Sequence, residues 1–211
     1  RRLSLSYLYL VMILTKYFSK IILIFLLLII LVAKSYSIEP ETFVQSTVNR
    51  ASEALSDKYT KQEKIDKLKY IARETVDING IGSYTLGKHR KNLTQDQKRI
   101  YRDLFSKYFL KTFSSRLAEY TNPEVRVDSS DKLNKNYTMV HSVLIATDQR
   151  PEVKIDWRIY TKDPENLLIR DLIIEGLSLA RTQKEEFNSI IASNDGNIDF
   201  LFVSLNQFIN K

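Results

Sequence analysis

The first half of the chain beyond residue 38 repeats its apolar residues at helical spacing. Each predicted helix has apolar positions at i, i+3, i+4 and i+7, and the third has a wide aromatic stripe. Capping-box patterns, a Thr followed three residues later by Glu or Gln, predict helix starts near Thr60 and Thr94. A group of glycines between these helices predicts a turn or loop. The predicted helices span 40–55, 61–76 and 95–120, and the glycines are Gly80, Gly82 and Gly87.

After Pro123 the apolar repeat shortens to two residues, which is the spacing of β-strands. The connections are too short for crossover helices, so the strands should form an antiparallel meander. Helical spacing then returns. This order indicates an α+β fold, with a four-stranded antiparallel sheet packed against several helices. The predicted strands are 124–128, 137–147, 153–161 and 167–175, the turns are 129–131, 148–151 and 163–166, Gly176 ends the sheet, and the last helices cover 182–192 and 198–209.

Residues 1–37 have the composition of a secretory signal peptide. They contain five basic residues and no acidic residue, and residues 21–32 form an unbroken apolar run. This run is shorter than the roughly 20 residues that span a bilayer. We therefore expect cleavage after Ser37 and an exported domain of residues 38–211. The alternative is an uncleaved anchor that makes the domain a membrane-tethered adaptor.

The leader also carries most of the excess positive charge. The whole chain has 32 basic and 25 acidic residues, whereas residues 38–211 have 27 and 25. The basic character is therefore weak evidence for nucleic-acid binding, and we expect no nucleic-acid partner. Cysteine is absent, so the domain must be stabilised by its core alone, which a chain of this length can build.

Candidate catalytic groups are few. Residues 82–88 fit the pattern G-x-x-x-x-G-K, but His89 stands where a phosphate-binding loop needs Ser or Thr. The only other histidine is His141, and no metal-ligand spacing is present, so no metal site is predicted. Asp171 interrupts an apolar run. A catalytic role for His141 or Asp171 would require it to face a cavity beside a partner acid. With no nucleophile–base pair in the sequence, we expect no catalytic residues and no enzyme.

Two of the predicted strands, 137–147 and 167–175, are largely apolar on both alternating sets of residues. An antiparallel sheet with one solvated face should show one polar set. Either helices cover both faces, or part of the apolar surface lines a cavity for an apolar ligand. The pattern does not separate these two interpretations.

Short motifs spread over about residues 40–209 point to a known family. They are Leu86-Gly87-Lys88, Thr94 with Gln97, the aromatic residues Tyr101, Phe105, Tyr108, Phe109 and Tyr120, and Asp171 followed by Glu175-Gly176-Leu177-Ser178. In this order they resemble the MlaC family, also known as the toluene-tolerance auxiliary family. The chain departs from it at Leu167 and Arg170, where members often carry aromatic residues.

The resemblance implies a periplasmic phospholipid carrier in Gram-negative bacteria, with lipid as its ligand and no cofactor. It implies transfer between an outer-membrane lipoprotein complex and an inner-membrane ABC transporter complex containing an MCE-domain protein, which maintains outer-membrane lipid asymmetry. The implied fold is NTF2-like in outline, with acyl chains between the sheet and the helices. We expect a monomer. NTF2-like cavities also host small hydrolases and isomerases, which remain the enzymatic alternative.

A lipid site between sheet and helices would draw its lining from both layers. From the third helix we expect Leu104, Phe105, Tyr108 and Phe109, and from the sheet Val143, Ile145, Val153, Ile155, Trp157, Ile159, Leu172 and Ile174. For the mouth we expect Tyr84, Arg90 and Arg170, the last of which could meet a lipid phosphate if it faces the cavity.

Overall fold

The computed structural model of the protein describes residues 38–211. The predicted leader and its cleavage site lie outside the described residues. Helices α1 to α6 are Pro40–Ala54, Lys61–Thr75, Ile78–Thr85, Gln95–Leu117, Leu179–Ala192 and Asp199–Asn210, and a 3-10 helix, Gly87–Asn92, connects α3 to α4. Strands β1 to β5 are Val125–Asn134, Tyr137–Leu144, Val153–Tyr160, Leu168–Ile174 and Leu177–Ser178.

The strands form one sheet in the order β1-β2-β3-β4-β5, and each neighbouring pair is antiparallel. The predicted α+β meander is therefore confirmed, with a short fifth strand added. Gly176 does not end the sheet, because Glu175 and Gly176 adopt positive φ angles of 49° and 81° and turn the chain back into β5.

The first hairpin turn lies further along the chain than predicted. Residues 129–131 belong to β1 and pair with β2, and the turn is made instead by the two residues between Asn134 and Tyr137. The prediction was wrong because β1 is an edge strand that is mostly exposed, so Ser and Asp can occupy it without losing contact with water.

Both predicted capping boxes are present, Thr60 with Glu63 and Thr94 with Gln97. The predicted glycine loop is wrong for Gly80 and Gly82, because residues 78–85 form helix α3, whose first turn is capped by the Asp77 carboxylate. Gly87, with a φ angle of 54°, does mark a break, between α3 and the 3-10 helix. Gly82 serves close packing: a β-carbon there would lie 2.7 Å from the Phe105 ring. The fifth helix begins earlier than predicted, at Leu179, because the Ser178 hydroxyl accepts a hydrogen bond from the Arg181 amide.

The helices cover one face of the sheet, which we call the inner face. Helix α1 contacts β1 and β2, while α3 and α5 contact β4; the long helix α4 packs mainly against α2, α3 and α6. A large apolar cluster joins sheet and helices, and a smaller one lies where α1, α2 and the end of α4 meet. Both clusters are built from residues 38–211, which form one compact unit with its own core. No helix within these residues is long and apolar enough to cross a membrane.

Candidate ligand-binding surface between the sheet and the helices

The inner face of the sheet is sealed at one end and partly open at the other. At the sealed end Val140, Ile159 and Ile169 have 0, 0 and 4% of their surface exposed. Toward the other end, Ser142 and Leu144 of β2 are still buried, but the residues of β3 and β4 on the same face are only half-buried. We call these residues the inner strip; they are Val153, Ile155, Trp157, Leu172 and Ile174, which the strand register places side by side.

Trp157 lies in the middle of the inner strip. Its indole N–H donates a hydrogen bond to the Ser142 hydroxyl, 2.8 Å away, and Ser142 donates in turn to the Ile155 carbonyl at 2.9 Å. The one polar atom of the indole is therefore satisfied within the sheet. The remaining ring surface is apolar and available for packing.

Helix α4 supplies an aromatic surface to the same interior. Phe105 is 2% exposed and meets the Phe187 ring of α5 edge-on, with 6.2 Å between ring centroids. Leu104, Tyr108 and Phe109 are half-buried and pack against the same cluster. Offset and edge-to-face aromatic pairs of this kind add to the stability that burial provides.

Two tyrosines of α4 keep their hydroxyls hydrogen-bonded inside this layer. Tyr108 donates to the Gln183 side chain at 2.8 Å, and burial, followed by the nearby Glu186 charge, raises the pKa of Tyr108. Tyr101 contacts Thr85 at 2.8 Å and donates to the Gly82 carbonyl at 3.1 Å, and burial raises the pKa of Tyr101. Both side chains therefore remain neutral and join α4 to its neighbouring helices.

Most of the predicted lining converges on this interior, but two residues do not. Val143 pairs with Lys154 and lies on the opposite face of the sheet, the outer face. Ile145 lies beyond the end of β2, where its amide donates to the Glu124 carbonyl at 2.8 Å. Sequence reasoning included Val143 because both alternating sets of β2 are apolar, so the pattern could not say which set faces the helices. Contact of the other ten residues with lipid stays a prediction.

Two surface concavities, of about 560 and 440 Å³, lie away from this interior. The first is between α1 and Val127 of β1, and the second is at the end of α6. Neither is lined by a residue of the predicted set. Seven of the predicted lining residues are instead part of the large apolar cluster or pack against it, namely Leu104, Phe105, Tyr108, Phe109, Trp157, Ile159 and Leu172.

Arg170, predicted at the mouth, faces the outer side of the sheet. Its Nε atom lies 2.5 Å from a carboxylate oxygen of Asp77, and its guanidinium carbon lies 4.5 Å from the centre of the Tyr160 ring. Arg170 therefore joins α3 to the sheet through its ion pair with Asp77. Because it lies on the outer side, it does not line the inner strip. The other two predicted mouth residues, Tyr84 and Arg90, lie at the surface on α3 and on the 3-10 helix.

Asp171 is a structural residue that joins β4 to α5. It is 4% exposed and accepts hydrogen bonds from the Ser178 hydroxyl at 2.6 Å and the Ala180 amide at 3.0 Å. The Arg158 guanidinium lies 3.8 Å away. A carboxylate at the first turn of a helix satisfies amides that have no partner within the helix. The Asp171-to-Ser178 motif therefore fixes the start of α5.

His141 lies on the outer face between two carboxylates. Its Nδ1 is 2.7 Å from Asp156 and its Nε2 is 3.2 Å from Asp131. The hydrogen bond with Asp156 raises the pKa of His141, partial burial opposes this, and Asp131 adds to it. Neither His141 nor Asp171 faces the inner strip. Within residues 38–211 no group of three or more His, Asp or Glu side chains is positioned to hold a metal ion.

These features define an α+β protein with a helix-covered antiparallel sheet and an apolar, aromatic interior. The chain belongs to the MlaC family: the family model described as MlaC protein matches residues 42–207. A solved structure described as the phospholipid-binding protein from Ralstonia solanacearum, in complex with a phospholipid, is similar in fold, with a TM-score of 0.69 and 20% identity. The match covers 82% of this chain and 98% of that chain. No curated protein matches the sequence.

Proposed function

We propose that this protein is a phospholipid carrier that holds acyl chains between the inner strip and helix α4. The observation that carries the proposal is the half-buried, apolar inner strip in a member of the MlaC family. The phospholipid bound by the Ralstonia solanacearum protein of similar fold supports it. Each buried CH₂ group contributes about 0.8 kcal/mol, so an apolar interior is sufficient to hold acyl chains.

Taking up lipid requires the helices to move away from the inner strip, because Trp157 and Leu172 pack against the same apolar cluster as the aromatic residues of α4. The helix contacts indicate how this can happen. The sheet is held by α1 at one margin and by α3 and α5 at the other, while α4 packs mainly on helices. A shift of α4 with α2 and α6 would open space over Trp157 and Leu172 while leaving the hydrogen bonds of the sheet intact.

The proposed cycle places the carrier in the periplasm, between an outer-membrane lipoprotein complex and an inner-membrane ABC transporter complex with an MCE-domain protein. The proposed role is maintenance of outer-membrane lipid asymmetry by a monomeric carrier. The sequence of residues 1–37 supports export. N-terminal sequencing of the protein recovered from cells should find Ile38 as the first residue, and an intact leader would favour the tethered adaptor instead.

Native mass spectrometry of gently purified protein tests lipid carriage. We expect phospholipid-sized mass additions that disappear on denaturation, and we expect protein stripped of lipid to recover them when phospholipid is supplied. Folded protein that is repeatedly free of lipid and does not take it up would refute the proposal.

A further inference from the structure

Positive charge is concentrated in one short part of the domain. Residues 38–211 carry 27 basic and 25 acidic side chains, and six of the basic but only one of the acidic lie within residues 84–102. Elsewhere 21 basic and 24 acidic side chains remain, so the rest of the domain is net negative. The domain therefore has an uneven charge distribution, with its positive part around the connection between α3 and α4.

Three of these six basic residues lie on the 3-10 helix, at the surface of the domain. Lys88, Arg90 and Lys91 are exposed, and within the described part of the chain none of them forms an ion pair with a carboxylate. The single acidic residue of the segment, Asp96, is paired with Arg99 at 3.3 Å. The positive charge of the 3-10 helix is therefore not neutralised within the domain.

Helix α5 brings a further cation to the same place. The Lys184 side chain packs on Gly87, since a β-carbon there would lie 2.9 Å from its Cε atom. Its ammonium nitrogen lies 5.1 Å from the centre of the Tyr84 ring, and Tyr84 is 43% exposed. We call Tyr84, Lys88, Arg90, Lys91 and Lys184 the basic corner.

We propose that the basic corner docks the protein on a membrane surface that carries anionic lipid headgroups. The last three residues of the 3-10 helix are all exposed, and an exposed cationic surface fits a broad anionic plane. Each Lys or Arg near such a surface strengthens binding by roughly fivefold, and a tyrosine beside the cations suits the interfacial region of a bilayer. This docking is independent of whether the interior takes lipid.

Vesicle sedimentation with residues 38–211 tests the proposal, because this unit has its own core and lacks the apolar leader. We expect binding to vesicles with about 30% phosphatidylglycerol in phosphatidylcholine, and none to phosphatidylcholine alone. Raising the salt from about 50 to about 500 mM should abolish binding, because exposed charges are then screened. The triple variant K88Q/R90Q/K91Q should bind roughly a hundredfold more weakly.

The matched control is K132Q/K135Q/K162Q, which removes the same charge from exposed lysines at the first hairpin and beyond β3. We expect it to weaken binding by less than about threefold. Equal losses in both variants, equal binding to neutral vesicles, or capture of an acidic protein without any binding to anionic vesicles would each overturn the proposal. If the first triple variant does not fold, the single variants Lys88→Gln and Arg90→Gln replace it, and each should bind roughly fivefold more weakly. The lipid content of K88Q/R90Q/K91Q, measured by native mass spectrometry, should equal that of the unaltered protein. This measurement separates a failure of docking from a failure of lipid carriage.

Discussion

The Trp157 indole N–H donates a hydrogen bond to the Ser142 hydroxyl, 2.8 Å away across the inner face of the sheet. Trp157 is the only tryptophan in the chain. The bond ties the indole to the neighbouring strand, and the rest of the ring forms part of the half-buried apolar strip. The intrinsic fluorescence of the protein therefore reports directly on the proposed lipid site.

Two neighbouring residues of β4 offer a matched test of which sheet face holds lipid. Leu172 lies on the inner face beside Trp157, whereas Ile173 pairs with Asp156 on the outer face, and both are half-buried. Leu172→Gln should reduce phospholipid uptake severalfold, because a buried amide without a partner costs roughly 1–3 kcal/mol. Ile173→Gln should leave uptake within about twofold. Equal effects on uptake by folded variants would contradict the assigned face.

Gly82 should be intolerant of any side chain. Gly82→Ala places a β-carbon 2.7 Å from the Phe105 ring, and such overpacking typically costs about 1–3 kcal/mol. The clash should outweigh the higher helix propensity of alanine, which is worth about 1 kcal/mol. Urea unfolding should therefore show a lower free energy of unfolding. As a control, Ser83→Ala at the adjacent exposed position should alter the free energy of unfolding by no more than about 0.5 kcal/mol. A stabilising effect of Gly82→Ala would refute the close packing.

Asp171 and Ser178 should act as one unit. Removing a buried hydrogen-bonding partner leaves amides unsatisfied, so Asp171→Ala should lower the free energy of unfolding by about 2–4 kcal/mol. Ser178→Ala should cost about 1 kcal/mol. Because the two side chains are hydrogen-bonded, a double-mutant cycle should show a coupling of at least about 0.5 kcal/mol. Additive effects would mean that the pair does not cooperate in starting α5.

His141 should make the stability of the domain depend on pH. Its pKa is raised in the folded protein, chiefly by the hydrogen bond with Asp156. The stabilisation is therefore fully present below the unfolded pKa of about 6.5 and is lost as the pH rises through the folded pKa. The difference in free energy of unfolding between the wild-type protein and His141→Gln should be larger near about pH 5.5 than near about pH 8.5.

Asp156→Asn provides the control, because it removes the main cause of the raised pKa. It should lower the pKa of His141 in an NMR titration and reduce the pH dependence of stability. A difference between wild type and His141→Gln that grows with rising pH would show that the ion pairs do not stabilise the fold.

Local sequence patterns predicted helix starts and strand faces correctly where a residue type has one physical role. Thr60 and Thr94 were recognisable as helix caps, because a capping box satisfies amides that every helix leaves free. The alternation of β3 likewise identified the set of residues that contains Trp157. The predictions failed where tertiary packing overrides local preference. Gly82 is typical of a turn in sequence but lies in a helix, because the Phe105 ring occupies the space of a side chain.

The assignment of the site depended on information that periodicity does not contain. Both sets of β2 are apolar, so only the register with Lys154 shows that Val143 lies on the outer face. Arg170 was a reasonable candidate for a phosphate, but its partner, Asp77, is 93 positions away in the chain and no local pattern connects them. Long-range ion pairs of this kind become visible only in three dimensions.

The most direct test of lipid carriage is the fluorescence of Trp157 in the presence of phospholipids brominated along their acyl chains. Bromine quenches an indole that it contacts. We predict that delipidated protein loses most of its tryptophan fluorescence when it takes up brominated phospholipid, and that the unbrominated lipid, at equal occupancy measured by mass spectrometry, causes no such loss. Uptake of brominated lipid without quenching would show that the acyl chains do not lie on the inner strip, and failure to take up either lipid would contradict the account as a whole.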